Sequence, residues 1–296
     1  MKIGLMGVPS SAGGRTIGVE KCPSALRDAR LVQKLIAAGH DVIDYGDTES
    51  FEFAPDTRNP KLRNMSFVVE VCSLVAKKVE RILRENAHPL ILGGDCTIAI
   101  GSVAGIVNTI PKLGLIYLDA DVDINTPETT PSGILDGMVV SHIIGKGVEE
   151  LSHMAKTYPI LKEENVVLFG FDPLSGFVDP PETEFLKHSE IVQFPIKKID
   201  RLGIGPAAKQ ALDTLKKRAE RVFIHFDVDF LNGTEMPAKD ILHPDGLLFK
   251  DAESALRTFV RDEEFLGMEI TEFNPTKDTS HVVAARLVDL LASVLT

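Results

Sequence analysis

The segment LGLIYLDADVD, residues 113–123, joins an apolar run to three aspartates at alternate positions. The run Leu113–Leu118 is typical of a buried strand, and side chains at alternate positions point to the same side of an extended chain. Two further apolar stretches, residues 89–92 and 221–224, also end in motifs of this kind. Those motifs are Gly93-Gly94-Asp95-Cys96-Thr97 and His225-Phe226-Asp227-Val228-Asp229.

The three motifs are expected to meet in one cleft, because parallel strands end at the same edge of a sheet. Such a cleft would hold at least five carboxylates and a thiol. Unpaired carboxylates repel one another and are costly to bury, so the cluster needs compensating cations. The sequence therefore favours a metal centre. The alternative, aspartates acting as turn residues, explains any one motif but explains three with this spacing poorly.

Strand-like and helical segments alternate along the chain. We predict strands over residues 2–8, 41–45, 89–92, 113–119, 165–171, 221–227 and 265–272. We predict helices over residues 23–38, 63–85, 97–108, 133–144, 148–157, 206–217, 250–260 and 282–295. This alternation predicts a mainly parallel sheet covered by helices on both faces. No repeat or linker interrupts it, so we expect a single α/β domain over residues 1–296.

The composition excludes several classes of partner. The net charge is −11 and no basic run is present, which argues against nucleic acid and anionic membranes. No apolar stretch approaches the ~20 residues that span a bilayer. The first residues, Met1-Lys2-Ile3-Gly4-Leu5, begin directly as a strand without a signal-peptide pattern, so we expect a cytoplasmic protein. Three widely separated cysteines predict no disulfide framework.

The acidic motifs resemble the metal-binding signatures of the arginase/agmatinase (ureohydrolase) family. Other similar segments are Gly18-Val19-Glu20, Pro23-Ser24-Ala25-Leu26-Arg27, Asp44-Tyr45-Gly46-Asp47, Ser132-Gly133-Ile134-Leu135-Asp136-Gly137-Met138 and Glu272-Phe273-Asn274-Pro275. The resemblance runs essentially end to end in the family's motif order. It implies a three-layer α/β/α fold around an eight-stranded, mainly parallel sheet. It also implies a homo-oligomer, a trimer or a hexamer.

The resemblance also implies a set of metal ligands. By this resemblance, Asp119 and Asp227 would bridge two divalent metal ions. The family resemblance implies that these ions are manganese. Cys96 and Asp123 would complete one metal position. Asp121 and Asp229 would complete the other.

This chain departs from the family where the chemistry takes place. Cys96 and Asp121 stand where the family has metal-binding histidines, and Asp136 stands where it has a proton-transferring histidine. Thiolate and carboxylate still bind metals, which favours a retained but altered centre. Five aspartates and a thiolate would place six negative charges against the four positive charges of two divalent ions. The excess must be relieved by a retained proton, a more highly charged metal or the loss of one metal.

The resemblance assigns further roles near the metals. It implies that Glu272 holds a cationic guanidinium and that Asn125 and Ser132 contact the amino-acid end of the substrate. Asp123 would orient the nucleophile, and Asp136 would return a proton to the leaving amine. Ile134 and the segment at residues 171–176 differ from the family pattern, which argues against free arginine as the substrate.

The sequence therefore predicts a metal-dependent hydrolase of C–N bonds in a linear amidine or guanidine, using a metal-bridging hydroxide. Its predicted partner is a small guanidine or amidine substrate. The main alternative is a non-catalytic arginase-like protein, a pseudoenzyme or partner subunit with a degraded metal site, which the three lost histidines support. A third interpretation keeps the enzyme but changes its substrate to an N-hydroxylated or N-substituted guanidine. His225 precedes Asp227 by two residues and faces the same side of the strand, so it could approach the site, but we predict a core histidine. We predict that His142 and His243 are structural or surface residues.

Overall fold

A single eight-stranded sheet organises the computed structural model, which describes residues 1–296. Its strands are β1 (Lys2–Gly7), β2 (Asp41–Asp47), β3 (His88–Leu92), β4 (Leu113–Leu118), β5 (Val166–Phe169), β6 (Val192–Phe194), β7 (Arg221–Asp227) and β8 (Phe265–Thr271). They lie in the order β2-β1-β3-β8-β7-β4-β5-β6, and every neighbouring pair is parallel.

Helices cover both faces of this sheet. They are α1 (Cys22–Asp28), α2 (Leu31–Ala37), α3 (Met65–Arg84), α4 (Ile98–Val107), α5 (Val139–Ile143), α6 (Glu149–Ser152), α7 (Pro180–His188), α8 (Ile196–Leu202), α9 (Ile204–Leu215), α10 (Phe249–Val260) and α11 (Val282–Val294). Each face has its own apolar core, one built with α3 and α4 and the other with α9, α10 and α11. The predicted three-layer α/β/α fold is therefore confirmed. No helix has both the length and the apolarity needed to cross a bilayer.

Some predicted elements differ from the structure. The helix predicted over residues 23–38 is two helices, because Arg30 between them adopts a left-handed conformation with φ of 69°. The helix predicted over residues 133–144 shrinks to a 3-10 turn at Asp136–Met138 and the short α5, since Gly133 has a positive φ and Met138 leaves the helical region with a φ of −130°. The helix predicted over residues 148–157 shrinks to α6.

Three elements were not predicted from the residues: β6, α7 and α8. Strand β6 has only three residues and pairs only with β5 at the edge of the sheet. A segment this short carries too little periodicity to be told from a loop. The eighth strand was therefore implied by the family resemblance alone.

Close packing of α3 against α4 positions the loop that carries Cys96. Helix α4 is buried along its whole length and begins two residues after Cys96. Gly101 and Gly105 of α4 face the backbone of α3, where an added Cβ would lie 2.4 Å from the carbonyl oxygen of Cys72 and 2.5 Å from that of Ala76. The absence of side chains at these two glycines lets the two helices approach so closely.

The substitution Gly101→Ala is expected to lower the free energy of unfolding by about 1–3 kcal/mol, because the methyl group meets backbone that cannot rotate away. Urea denaturation measures this change. The control is Gly205→Ala in α9, where the nearest atom to the new Cβ is the Ser254 Oγ at 4.0 Å. That control should leave stability unchanged or raise it by up to about 1 kcal/mol. Equal stability of the two variants would contradict the close helix contact.

Candidate metal centre

Four neighbouring strands end side by side and bring the acidic motifs together. Cys96 follows β3, Asp119 follows β4, Asp227 ends β7 and Glu272 follows β8. All four side chains are buried, with at most 6% of each residue exposed. The predicted convergence of the motifs at the carboxyl ends of the strands is therefore what the structure shows.

The first group of possible ligand atoms contains Cys96, Asp119, Asp227 and His225, which lie within 4.8 Å of one another. The Cys96 Sγ donates a hydrogen bond to the Asp227 Oδ2 at 2.9 Å and lies 3.2 Å from the Thr271 Oγ1. Burial, followed by the charge of Asp227, raises the pKa of the Cys96 thiol well above its usual range. Without a bound cation this sulfur is therefore a thiol.

His225 is held from three sides. Strand pairing places it in one row with Tyr117 and Glu269, and its ring stacks on that of Tyr117 with centroids 4.0 Å apart. Its Nδ1 lies 2.8 Å from the Glu269 Oε1, and the Ser102 hydroxyl donates to the Glu269 Oε2 at 2.6 Å. His225 is completely buried, which confirms the prediction of a core histidine. It also lies in the first ligand group, as the alternative of an approach to the site allowed.

The second group contains Asp121, Asp229 and His243. The His243 Nε2 lies 3.4 Å from the Asp121 Oδ2 and 3.9 Å from the Asp229 Oδ2. His243 was predicted to be a structural or surface residue, and the structure excludes the surface position by burying it beside two predicted ligands. It comes from the loop between β7 and α10, so no motif spacing in the sequence signals its position.

A third group contains Cys96, Asp136 and Glu272. The Asp136 Oδ1 accepts a hydrogen bond of 2.7 Å from the Cys96 backbone N–H. Glu272 adopts a φ of 63°, a left-handed conformation rare outside glycine, asparagine and aspartate. Its own N–H donates to the carbonyl oxygen of Gly94 at 2.9 Å, which holds this turn in place at the edge of the cluster.

Two carboxylates of the acidic motifs accept hydrogen bonds from other groups of the protein. Asp123, with φ of 50°, accepts a 2.5 Å hydrogen bond from the Tyr117 hydroxyl and belongs to none of the three groups. It lines the same cleft, and its assignment as a ligand stays a prediction. Asp95 accepts hydrogen bonds from the backbone N–H groups of Gly13 and Thr97, so it stabilises the loop around Cys96.

The predicted substrate residues Asn125 and Ser132 line the mouth of the cleft. The Asn125 side-chain amide donates to the Asp179 Oδ2 at 3.0 Å, and the Ser132 Oγ accepts from the backbone N–H of Ile134 at 3.2 Å. Both side chains are therefore held in place before any substrate binds.

Burial dominates the electrostatics of the cluster. It raises the pKa of Asp119 to about 6, with the nearby Asp121 carboxylate acting in the same direction. Burial and neighbouring carboxylates also raise the pKa values of Asp227, Asp229 and Glu272 well above the usual range. Each of these groups would ionise more readily beside a cation.

Lys239 is a buried cation that we did not predict from the sequence. It is 1% exposed, and its Nζ lies 3.8 Å from the Asp229 Oδ1. The same Nζ donates to the carbonyl oxygens of Asp229 at 2.9 Å and Leu231 at 2.5 Å. Burial lowers the pKa of Lys239, and the Asp229 carboxylate opposes that shift. Lys239 therefore offsets one of the excess negative charges.

The donor set fits divalent cations. Five buried polar atoms of the cluster have no hydrogen-bond partner: the Asp119 Oδ2, Asp121 Oδ1, Asp229 Oδ1, His243 Nε2 and Glu272 Oε1. Buried polar atoms in folded proteins are rarely left unpaired, because a buried polar atom without a hydrogen-bond partner lowers the stability of the fold. Coordination of metal ions would satisfy carboxylate and imidazole atoms together.

The substitution Lys239→Met keeps the length of the side chain but removes the cation and the donor to two carbonyl groups. We expect the free energy of unfolding of the metal-free protein to fall by about 3 kcal/mol, measured by urea denaturation. The matched control is Lys250→Met on the exposed side of α10, with an expected change within about 0.5 kcal/mol. A Lys239→Met protein as stable as that control would contradict the role of Lys239 as an internal counter-ion.

The chain is similar to known proteins over nearly its whole length. The family model described as "Arginase family" matches residues 1–295. An arginase of Staphylococcus aureus is 34% identical, covering 98% of this chain and 96% of its own length. The arginase of Bacillus caldovelox is 31% identical, covering 99% and 97%.

A solved structure shows the same likeness. The crystal structure of arginase from Bacillus cereus superposes with a TM-score of 0.91 at 32% identity, covering 99% of this chain and 98% of that one. The similarity thus extends over the sequence and the fold. The chain belongs to the arginase family and is a hydrolase of the ureohydrolase type.

Proposed function

We propose that this hydrolase cleaves a C–N bond in a linear amidine or guanidine, with two divalent metal ions held by the buried cluster. The observation that carries the proposal is the set of unpartnered carboxylate and imidazole atoms at the strand ends, in a chain of the arginase family. The non-catalytic alternative is not favoured, because a degraded site has no reason to keep so many unpaired donors buried together.

Metal ions bound there would lower the pKa of a water molecule enough to supply the nucleophile at neutral pH. Asp119 and Asp227 follow adjacent strands and would lie between the two metal positions. Cys96 lies in the first ligand group and Asp229 in the second, so each belongs to one position. Manganese is the ion implied by the family resemblance.

Glu272 is the residue best placed to bind a cationic substrate group. Its carboxylate is buried, its Oε1 has no partner, and it belongs to the third ligand group with Cys96 and Asp136. A guanidinium group would donate hydrogen bonds to this carboxylate and favour its ionised form. The pairing would place the substrate carbon beside the metal positions.

Asp136 would transfer a proton, and Asp123 would orient the nucleophile. Burial raises the pKa of Asp136 well above its usual range, so its carboxyl group can hold a proton near neutral pH and give it to the leaving amine. Asp123 is fixed by the Tyr117 hydroxyl and would orient the attacking water. Asn125 and Ser132 would contact the distal end of the substrate.

The substrate we propose is a substituted guanidine or amidine rather than free arginine. Ile134 presents an apolar side chain to the cleft beside Ser132, and Phe177 lines the same cleft just after the divergent segment at residues 171–176. Apolar walls at this point favour a substrate with an apolar substituent over the charged amino-acid end of arginine.

The substitution Asp227→Ala should abolish both metal binding and turnover, because it removes a carboxylate of the first ligand group that the family resemblance assigns to both metal positions. Elemental analysis measures the metal content, and release of urea or amine from a panel of guanidines measures turnover. The control Asp200→Ala, on the exposed side of α8, should retain both. Full activity of the Asp227→Ala protein would refute the proposed role.

The substitution Glu272→Gln keeps the size of the side chain and removes its charge. We expect KM for a cationic guanidine to rise about 10- to 100-fold, since a charge-assisted hydrogen bond contributes roughly 1.5–3 kcal/mol. Steady-state kinetics on the metal-loaded enzyme measures this change, with the exposed Glu49→Gln as control. An unchanged KM would show that the cation binds elsewhere.

A further inference from the structure

We propose that His225 and His243, two histidines outside the predicted ligand set, each supply an imidazole to one of the two metal positions. His243 would serve the position of Asp121 and Asp229, and His225 would serve that of Cys96, Asp119 and Asp227. This inference rests on the metal dependence proposed above and assigns nitrogen donors to a centre whose predicted ligands contain none.

His243 is buried and aimed at two carboxylates without bonding to either. It is 4% exposed, and its Nε2 has no hydrogen-bond partner. Asp121 and Asp229 beside it each have an unpartnered Oδ1. The His243 ring packs against Phe177 with centroids 4.4 Å apart, which limits its rotation. Each of these three residues therefore contributes a possible ligand atom to one group, whose members lie within 4.8 Å of one another.

The spacing at this point suits ligands of a common ion better than an ion pair. A charge-assisted hydrogen bond joins its atoms at about 2.7–2.9 Å. The His243 Nε2 lies 3.4 Å from the Asp121 Oδ2 and 3.9 Å from the Asp229 Oδ2. Ligand atoms that are each about 2.1 Å from one metal ion lie about 3.0–3.4 Å apart at octahedral or tetrahedral angles. The distance to Asp121 falls in that range.

His225 is oriented by an internal carboxylate. Its Nδ1 is occupied by Glu269, which the Ser102 hydroxyl holds in turn, so the Nε2 is the nitrogen that no carboxylate engages. That Nε2 has a contact with the Thr271 Oγ1 at 3.5 Å, at the limit of a hydrogen bond. Metal-binding histidines commonly use their second nitrogen to contact a carboxylate, which fixes the tautomer and the ring orientation. The Glu269–His225 pair has this arrangement.

A thiol at one of the two positions would shift the preference among metals. Imidazole and carboxylate are the ligands that the family resemblance associates with manganese, whereas thiolate selects softer ions such as zinc. The two positions would also differ, because only that of His225 includes the sulfur of Cys96. Cobalt(II) is therefore a suitable probe, since bonding to sulfur and to nitrogen changes its visible absorption in different ways.

The experiment compares cobalt(II) binding by four full-length proteins after removal of metal with a chelator. They are the wild type, His243→Gln, His225→Gln and the control His188→Gln, which removes an exposed imidazole from the end of α7. Elemental analysis gives the equivalents bound, calorimetry gives the affinities, and the absorption of the cobalt–thiolate bond reports the position of Cys96. Circular dichroism checks the fold of each variant.

We expect two equivalents in the wild type and in His188→Gln. His243→Gln should lose one equivalent, or bind it at least about tenfold more weakly, and keep the cobalt–thiolate absorption. His225→Gln should weaken the other equivalent and alter that absorption. If His225→Gln does not fold, Glu269→Gln replaces it, because loss of the orienting carboxylate should weaken the same equivalent about tenfold.

Two equivalents of unchanged affinity in His243→Gln would overturn the inference, as would a wild-type protein that binds no cobalt. These outcomes are distinct from failure of the proposed function. A wild-type protein that holds two cobalt ions yet releases no urea or amine from any guanidine would refute the function alone. Unaltered metal binding and hydrolysis in His243→Gln would refute the ligand assignment alone.

Discussion

Burial of like charges at the ends of four neighbouring strands is the constraint on which the site depends. Water is excluded from these strand ends, so burial raises the pKa values of Asp119, Asp227, Asp229 and Glu272 together. Ionised, these groups are tolerable only beside positive charge. Lys239 supplies one such charge from within the chain. Carboxylate atoms of the cluster remain without a partner, and metal ions would supply further positive charge beside them.

The rest of the fold serves to hold these strand ends in place. The sheet is parallel throughout, so four strands deliver their last residues to one edge, and an apolar core on each face keeps them in register. Helix α4 packs on α3 through two glycines and carries the loop of Cys96. The left-handed backbone at Asp123 and Glu272 is a local cost that the surrounding structure maintains at the site.

A metal site can change the residues at its motif positions and still bind metal ions if other segments supply donor atoms. The motif positions 96 and 121 carry a thiol and a carboxylate, while His225 and His243 reach the same two groups from β7 and from a distant loop. The two histidines would therefore add two nitrogen donors to the thiol and the carboxylate at those positions. In our proposal, a hydrolase of the arginase family with altered metal ligands would act on a substituted guanidine or amidine, and Glu272 would bind its cationic group.

The sequence by itself determined the fold class and the convergence of the acidic motifs, because both follow from local periodicity and from the rule that parallel strands end at one edge. Cys96, Asp119, Asp227 and Asp229 could be predicted for that reason. Only the tertiary structure decided the places of Lys239 and His243. They lie in an irregular loop without periodicity, and their side chains reach the cluster only because that loop folds back over the strand ends.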